Sequence, residues 1–192
     1  MNITHFTRSL KTADYISSYR DAERFAQLCR QCPRYGATWH CPPYDFDTLD
    51  TVSKFSTVHL FATKVDFALS ERGLYGNTQK IYGDIMQLVW EQTHPFLIGL
   101  EKKFPDSMAF DMACRLCGNE PCTRKSGKPC RHPDQARHSI ESFGFDIGLT
   151  AKQVFGTELL WSKDGSLPQY LMFITALFTN HDIPQRELII NP

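Results

Sequence analysis

Four of the seven cysteines in this chain, Cys114, Cys117, Cys122 and Cys130, fall in one short stretch. Uniform scatter over 192 residues would put fewer than one cysteine there. The spacing is C-x2-C-x4-C-x7-C, with Gly118, Pro121, Gly127 and Pro129 between the thiols, so the segment cannot be a regular helix or strand. A loop of this kind can wrap around one centre and turn its sulfurs inward. Its CxxC step suits two ligands of a tetrahedral metal or of an iron-sulfur cubane. The spacing matches neither the paired CxxC of zinc ribbons nor the standard ferredoxin runs, so it points to a metal more firmly than to a particular metal. Between Cys114 and His138, Arg115, Arg124, Lys125, Lys128, Arg131 and Arg137 face only Glu120 and Asp134. These cations either offset the negative charge of a four-thiolate site or form a solvated basic loop.

The other three cysteines, Cys29, Cys32 and Cys41, are spaced C-x2-C-x8-C. Cys29 and Cys32 stand at i and i+3 at the end of a helical pattern and can point to one side. Cys41-Pro42-Pro43 should present the third sulfur on a stiff, extended backbone. Three thiolates are an incomplete set. Either they join the first four around one centre, or they hold a second whose fourth position is left to His40, water or substrate. The plainer alternative is that Cys29 is a small buried apolar residue.

The surroundings decide what such cysteines can be. The N-terminal stretch lacks the apolar segment of a secretory signal, and the longest apolar run, Tyr170–Phe178, is too short to cross a bilayer and reads as a buried strand. A cytoplasmic protein is expected, with reduced thiols that serve as metal ligands or redox groups rather than staples. A chain with 42% apolar residues can bury a core. Its 21 basic and 21 acidic residues cancel, so no global field attracts nucleic acid or an anionic membrane.

Pattern along the chain predicts one helix from about Tyr15 to Gln31, capped by Asp14 and stopped at Cys32 by Pro33. An ordered loop over Pro33–Asp50 follows, then a strand within Thr57–Leu69. A long helix over Asn77–Phe104, interrupted or kinked at Pro95, leads to a strand within Ser107–Met112. After the cysteine loop come a helix from Pro133 to Phe143 ending at Gly144, and a short helix before Gly156 with Thr150 and Gln153 as its capping box. Thr157–Trp161 and Gln169–Phe178 read as a hairpin turning at Asp164-Gly165. The sum is a single α+β metal-binding domain over residues 1–192, with about four strands in an antiparallel or mixed sheet, flanking helices and two cysteine-bearing loops.

The run C29-x-x-C-P-R-Y-G-A-T-W-H-C41-P-P, together with C114-x-x-C-x4-C-x7-C-R-H-P and the R-H-S-I-E-S-F-G-F-D that follows, resembles a bacterial and archaeal family of predicted metal-binding proteins of unknown function. The resemblance covers both cysteine loops and the segment after the second. It implies metal binding by Cys29, Cys32, Cys41, Cys114, Cys117, Cys122 and Cys130, suspected to be of iron-sulfur type, and no agreed reaction. Arg131, Pro133, Arg137, Ser139, Glu141, Gly144 and Asp146 accompany the motif.

Some side chains near the motifs have structural alternatives. His132 could cap the helix opening at Pro133 or donate to a sulfur. Glu141 could be a proton donor but more simply pairs with Arg137 one turn back. Tyr35, Trp39 and Tyr44 could shield a centre or merely pack. No phosphate loop, GxSxG elbow, HExxH or haem-attachment motif is present. The leading expectation is an iron-sulfur protein with a 4Fe-4S cluster at Cys114, Cys117, Cys122 and Cys130. A second cluster at Cys29, Cys32 and Cys41 would transfer electrons with a redox partner protein or bind a small-molecule substrate. The alternatives are a zinc module contacting RNA or protein, and a thiol redox sensor at Cys29 and Cys32. Zero net charge disfavours the RNA contact.

Overall fold

The computed structural model describes residues 1–68, 78–162 and 165–190. Its frame is a four-stranded, fully antiparallel open sheet made of β1 (Asn2–Lys11), β2 (Thr57–Asp66), β3 (Met108–Phe110) and β4 (Tyr170–Thr179), in the order β1-β2-β4-β3. Among the described residues five α-helices surround it: α1 (Thr12–Tyr19), α2 (Ala22–Gln31), α3 (Thr48–Val52), α4 (Thr78–Lys103) and α5 (Ile147–Phe155). The α+β class and the antiparallel sheet agree with expectation. Among the described residues, no helix is long and apolar enough to cross a membrane.

The central strands are apolar on both sides because both faces are covered. One face of β2 and β4 turns Val58, Leu60, Ala62, Ala176 and Phe178 toward Tyr15 of α1 and Ala151 of α5. The opposite face turns Phe61 and Leu177 toward Leu97 and Leu100 of α4. Truncating the fully buried Phe178 to alanine would cost about 3–5 kcal/mol. The helix α4 runs through Pro95 without a break.

Several elements differ from the sequence pattern, each for a tertiary reason. Strand β1 was not anticipated, because an edge strand buries only part of one face and so leaves a weak alternation. The expected helix over Tyr15–Gln31 is two helices. Arg20 is extended and bridges to Phe145, the Asp21 amide donates to the Gly144 carbonyl at 2.8 Å, and the Asp146 amide donates to the Tyr19 carbonyl at 2.8 Å. The Phe143–Asp146 strand of chain thus takes up the backbone groups that a continuous helix would have used. Asp21, not Asp14, caps α2 by accepting from the Arg24 amide, and α1 begins earlier, at Thr12. The Pro33–Asp50 loop runs into α3, capped by Asp47.

The predicted helix over Pro133–Phe143 is not formed. A turn follows Pro133, the His138 carbonyl accepts from the Asp111 amide at 2.9 Å, and only Glu141–Phe143 make one 3-10 turn, closed by Gly144. Asp146 rather than Thr150 caps α5, which does end at Gly156. The proposed hairpin is absent. Thr157–Trp161 form no strand, and β4 pairs instead with β2 and β3. Leu69, Asn77 and Asp164, invoked in three of the predicted elements, lie outside the described residues.

Candidate metal centre

The chain emerging from β3 at Asp111 leads directly into the four-cysteine loop, which is stitched by its own backbone and side chains. Thr123 Oγ1 donates to the Pro129 carbonyl at 2.8 Å, the Lys128 amide to the Thr123 carbonyl at 3.2 Å and Arg131 to the Pro121 carbonyl at 2.8 Å. Gly127, at φ 66°, supplies the left-handed turn that closes the 3-10 segment Thr123–Ser126. Cys114, Cys117, Cys122 and Cys130 are all free thiols and together line a cavity of about 250 Å³. The His132 amide lies 3.4 Å from Cys130 Sγ and donates to it, so His132 acts through its backbone and not as a helix cap. Burial pushes the Cys114 thiol up, and the three neighbouring thiols add to this against a donating amide from Leu116. A metal bound there would displace such protons.

The second thiol group is assembled from more distant parts. Cys29 lies in the last turn of α2 and Cys32 is its C-terminal cap, the Cys32 amide donating to the Cys29 carbonyl at 3.0 Å. Both face one cavity of about 340 Å³, where they are joined by Cys41, His40 and Glu141. The chain bends at Cys41 and Pro42 where an extended backbone was expected; the Pro42–Pro43 peptide is cis. Burial raises the Cys29 and Cys41 thiols above their ordinary range.

His40 and Arg34 line both cavities, so the two thiol groups share a wall. His40 is 4% exposed, and its Nδ1 donates to the Arg137 carbonyl at 3.1 Å. The lone pair is thereby left on Nε2. Burial lowers its pKa to about 4, which keeps the ring neutral and able to act as a ligand near pH 7. Across the same seam, His138 Nδ1 donates to the His40 carbonyl at 3.2 Å, and Tyr44 OH donates to that carbonyl at 2.7 Å.

Arg124 is the main clamp between the loops. Its guanidinium donates to the carbonyls of Thr38, Cys41 and Pro43 and lies over the Trp39 ring. Trp39 answers with Nε1 donating to the Lys128 carbonyl at 3.2 Å. Arg115 donates to Gln87 Oε1 and to the Gly83 carbonyl of α4. The basic residues of this segment thus include four arginines engaged inside the molecule, not a uniformly solvated loop.

The expected Arg137–Glu141 pair does not form. Arg137 Nε bonds Glu101 Oε2 at 2.6 Å, because the segment is not helical and the two side chains are not stacked one turn apart. Glu141 instead reaches the 340 Å³ cavity, and burial raises its carboxyl above the usual range. Glu101 and the far wall of that cavity carried no sequence signal, since nothing in their local pattern marks them, and Arg34 stood inside the first cysteine motif without a role of its own.

Among the described residues, no group of three or more His, Cys, Asp or Glu side chains is arranged to hold a metal ion. The thiols surround cavities instead of converging on a point. Seven free thiols thus line two adjoining cavities without closing on an ion, and it is comparison with known families that points to a metal. Residues 15–178 match the family described as predicted metal-binding protein (DUF2284), and the chain belongs to that family. No curated protein and no solved structure matches the chain.

Proposed function

We propose that this protein is an iron-sulfur protein with two adjoining centres. Cys114, Cys117, Cys122 and Cys130 would hold a 4Fe-4S cluster. Cys29, Cys32 and Cys41 would hold a second centre with one position left to His40 Nε2 or to a small molecule. The observation that carries this reading is the division of seven thiols between two cavities with a common wall at His40 and Arg34. Four sulfurs share one cavity without closing on a single point, an arrangement that suits a polynuclear cluster better than a single zinc drawn to about 2.3 Å from each.

When bound, such clusters supply one-electron chemistry and, at an open position, a Lewis-acidic iron. The chain's own residues do the rest. The Leu116 amide favours the Cys114 thiolate, and the His132 amide donates to Cys130 sulfur. Arg34 and Arg124 place positive charge beside Cys41. His40 stays neutral with its ring held by the Arg137 carbonyl. The electron's other party would be a redox protein or a small molecule in a reducing, cytoplasmic setting. RNA contact is not part of this reading, because four of the loop's arginines are engaged in internal bonds.

Anaerobic purification followed by iron, acid-labile sulfide and zinc analysis tests the reading. Equal iron and sulfide with broad visible absorption is expected. Colourless protein with stoichiometric zinc overturns it in favour of a zinc module. A thiol switch is the one other reading with an observation behind it, since Cys32 is exposed at the helix end beside Cys29. Mass mapping would then find a Cys29–Cys32 disulfide after mild oxidation in place of metal-protected thiols.

A further inference from the structure

Charge is spread unevenly over this electrically balanced chain. The two stretches that carry the thiols, residues 27–43 and 113–133, hold seven basic residues against one acidic, Glu120, which leaves fourteen against twenty elsewhere. Arg115 and Arg124 turn inward, to Gln87 and to the carbonyls of Thr38 and Cys41. Arg30, Arg34, Lys125 and Lys128 are exposed and make no ion pair among the described residues. Of the seven thiols, Cys32 is exposed and the other six are half-buried, so the thiol sites come nearest to solvent at Cys32. Three exposed apolar side chains lie around it. Leu28 stands one turn before Cys32 in α2, and the Tyr35 amide closes the turn after it by donating to the Cys32 carbonyl at 3.0 Å. Trp39 joins this segment to the four-cysteine loop through the Lys128 carbonyl.

We infer that this face docks a small acidic one-electron carrier protein, with Cys32 beneath the contact, Leu28, Tyr35 and Trp39 at its apolar centre, and the four exposed cations around them. The docking deepens the iron-sulfur reading above and rests on it only for the redox character of the partner.

The arrangement of the cations favours an acidic protein over other anions. A small anion is held by cations that converge on it, whereas these come from two stretches distant in the chain, with apolar side chains beside them. A nucleic acid draws on a longer track of cations and would meet the acidic excess carried by the rest of the chain. An apolar centre ringed by charge is the plan of protein interfaces. Four outward cations supply the steering that a brief electron-transfer encounter needs, without the area of a permanent interface. The inward arginines, Arg115 and Arg124, remain to offset negative charge at the thiols.

The test is titration calorimetry of the as-isolated protein with oxidised flavodoxin and with plant-type ferredoxin, two acidic carriers. Basic cytochrome c is the comparison, and metal content is measured on the same sample. One-to-one binding to an acidic carrier is expected, about tenfold weaker at about 0.2 M than at about 0.02 M salt, with none to cytochrome c. Lys125→Glu combined with Lys128→Glu should weaken it about tenfold with metal content unchanged. Arg30→Glu serves the same purpose if that variant fails to fold. Lys54→Glu, beyond the far end of β4 where Asn180 holds the Lys54 carbonyl, should leave binding as it is. Binding to neither acidic carrier, equal or tighter binding of cytochrome c, equal loss from Lys54→Glu, or displacement of the carrier by equimolar poly-uridine overturns the docking face. Carrier binding by protein that contains no iron would sustain the face while refuting the iron-sulfur reading, and iron-loaded protein that binds neither carrier would do the reverse.

Discussion

The loop that carries Cys114, Cys117, Cys122 and Cys130 is closed largely by bonds inside itself, from Thr123 to Pro129 and from Arg131 to Pro121. The group of Cys29, Cys32 and Cys41 has no such self-sufficiency. Two of its thiols ride on the end of α2, the third follows a bend at Pro42, and Glu141 arrives from a chain segment far along the sequence. The first group is a local product and the second a tertiary one. Local closure gives a site that survives distant perturbation, while a site assembled from several elements inherits every fault in their packing. The second arrangement also leaves a gap where elements part, and that gap is the larger cavity.

This contrast can be broken experimentally, most sharply at the thiols themselves. Cys117→Ala and Cys41→Ala should each abolish the iron of one centre and leave that of the other, as read by iron and sulfide per chain. Loss of all iron in both variants would show one shared centre and end the comparison.

Gly144 sits at φ 91°, and a Cβ there would lie 2.8 Å from Ala22 Cα, the first residue of α2. Gly144→Ala therefore has to shift the helix that bears Cys29 and Cys32. A loss of about 3 kcal/mol is expected by urea unfolding. Metal should leave the three-thiol site first, and equal loss from both sites would count against their separate origins.

Arg124→Ala removes three donors to the carbonyls of Thr38, Cys41 and Pro43. It should cost about 2 kcal/mol. Arg124→Lys should recover less than half, because an ammonium lacks the planar fork that spans three acceptors. Full recovery with lysine would reduce the clamp to a charge effect.

The smallest effect lies in the sheet, remote from both thiol groups. His59 is 5% exposed and is held below the ordinary histidine pKa by burial, with its Nε2 lacking a partner. The unfolded chain binds this proton more readily, so stability present above pH 6.5 is lost as the pH falls below it. His59→Gln should flatten that slope in urea midpoints measured across the window. An unchanged slope would place the acid sensitivity at His5 of β1 or at His40 and His138 beside the thiol loops, which burial also holds low.

Legibility followed the same division. The four-cysteine loop could be read because its spacing, glycines and prolines are contiguous, and the stop of α2 before Pro33 is likewise a local steric effect. The break at Arg20 could not be read, because it depends on Gly144 and Phe145 crossing there. The helix predicted after Pro133 failed for a related reason: the His138 carbonyl is taken by Asp111 and Arg137 is drawn to Glu101. Strand β1 escaped notice because its identity comes from pairing with β2, not from its own alternation.

By itself the sequence determined that seven thiols divide four and three, that the larger set lies on a loop, and that the fold is α+β. Covalent spacing and backbone sterics suffice for that. Only the tertiary structure decided that the two groups adjoin through His40 and Arg34 and that Glu141 faces the smaller group. These depend on which buried backbone groups find partners across the chain. Hydrogen-bond satisfaction in a packed interior is a property of the whole molecule, and no local stretch encodes it.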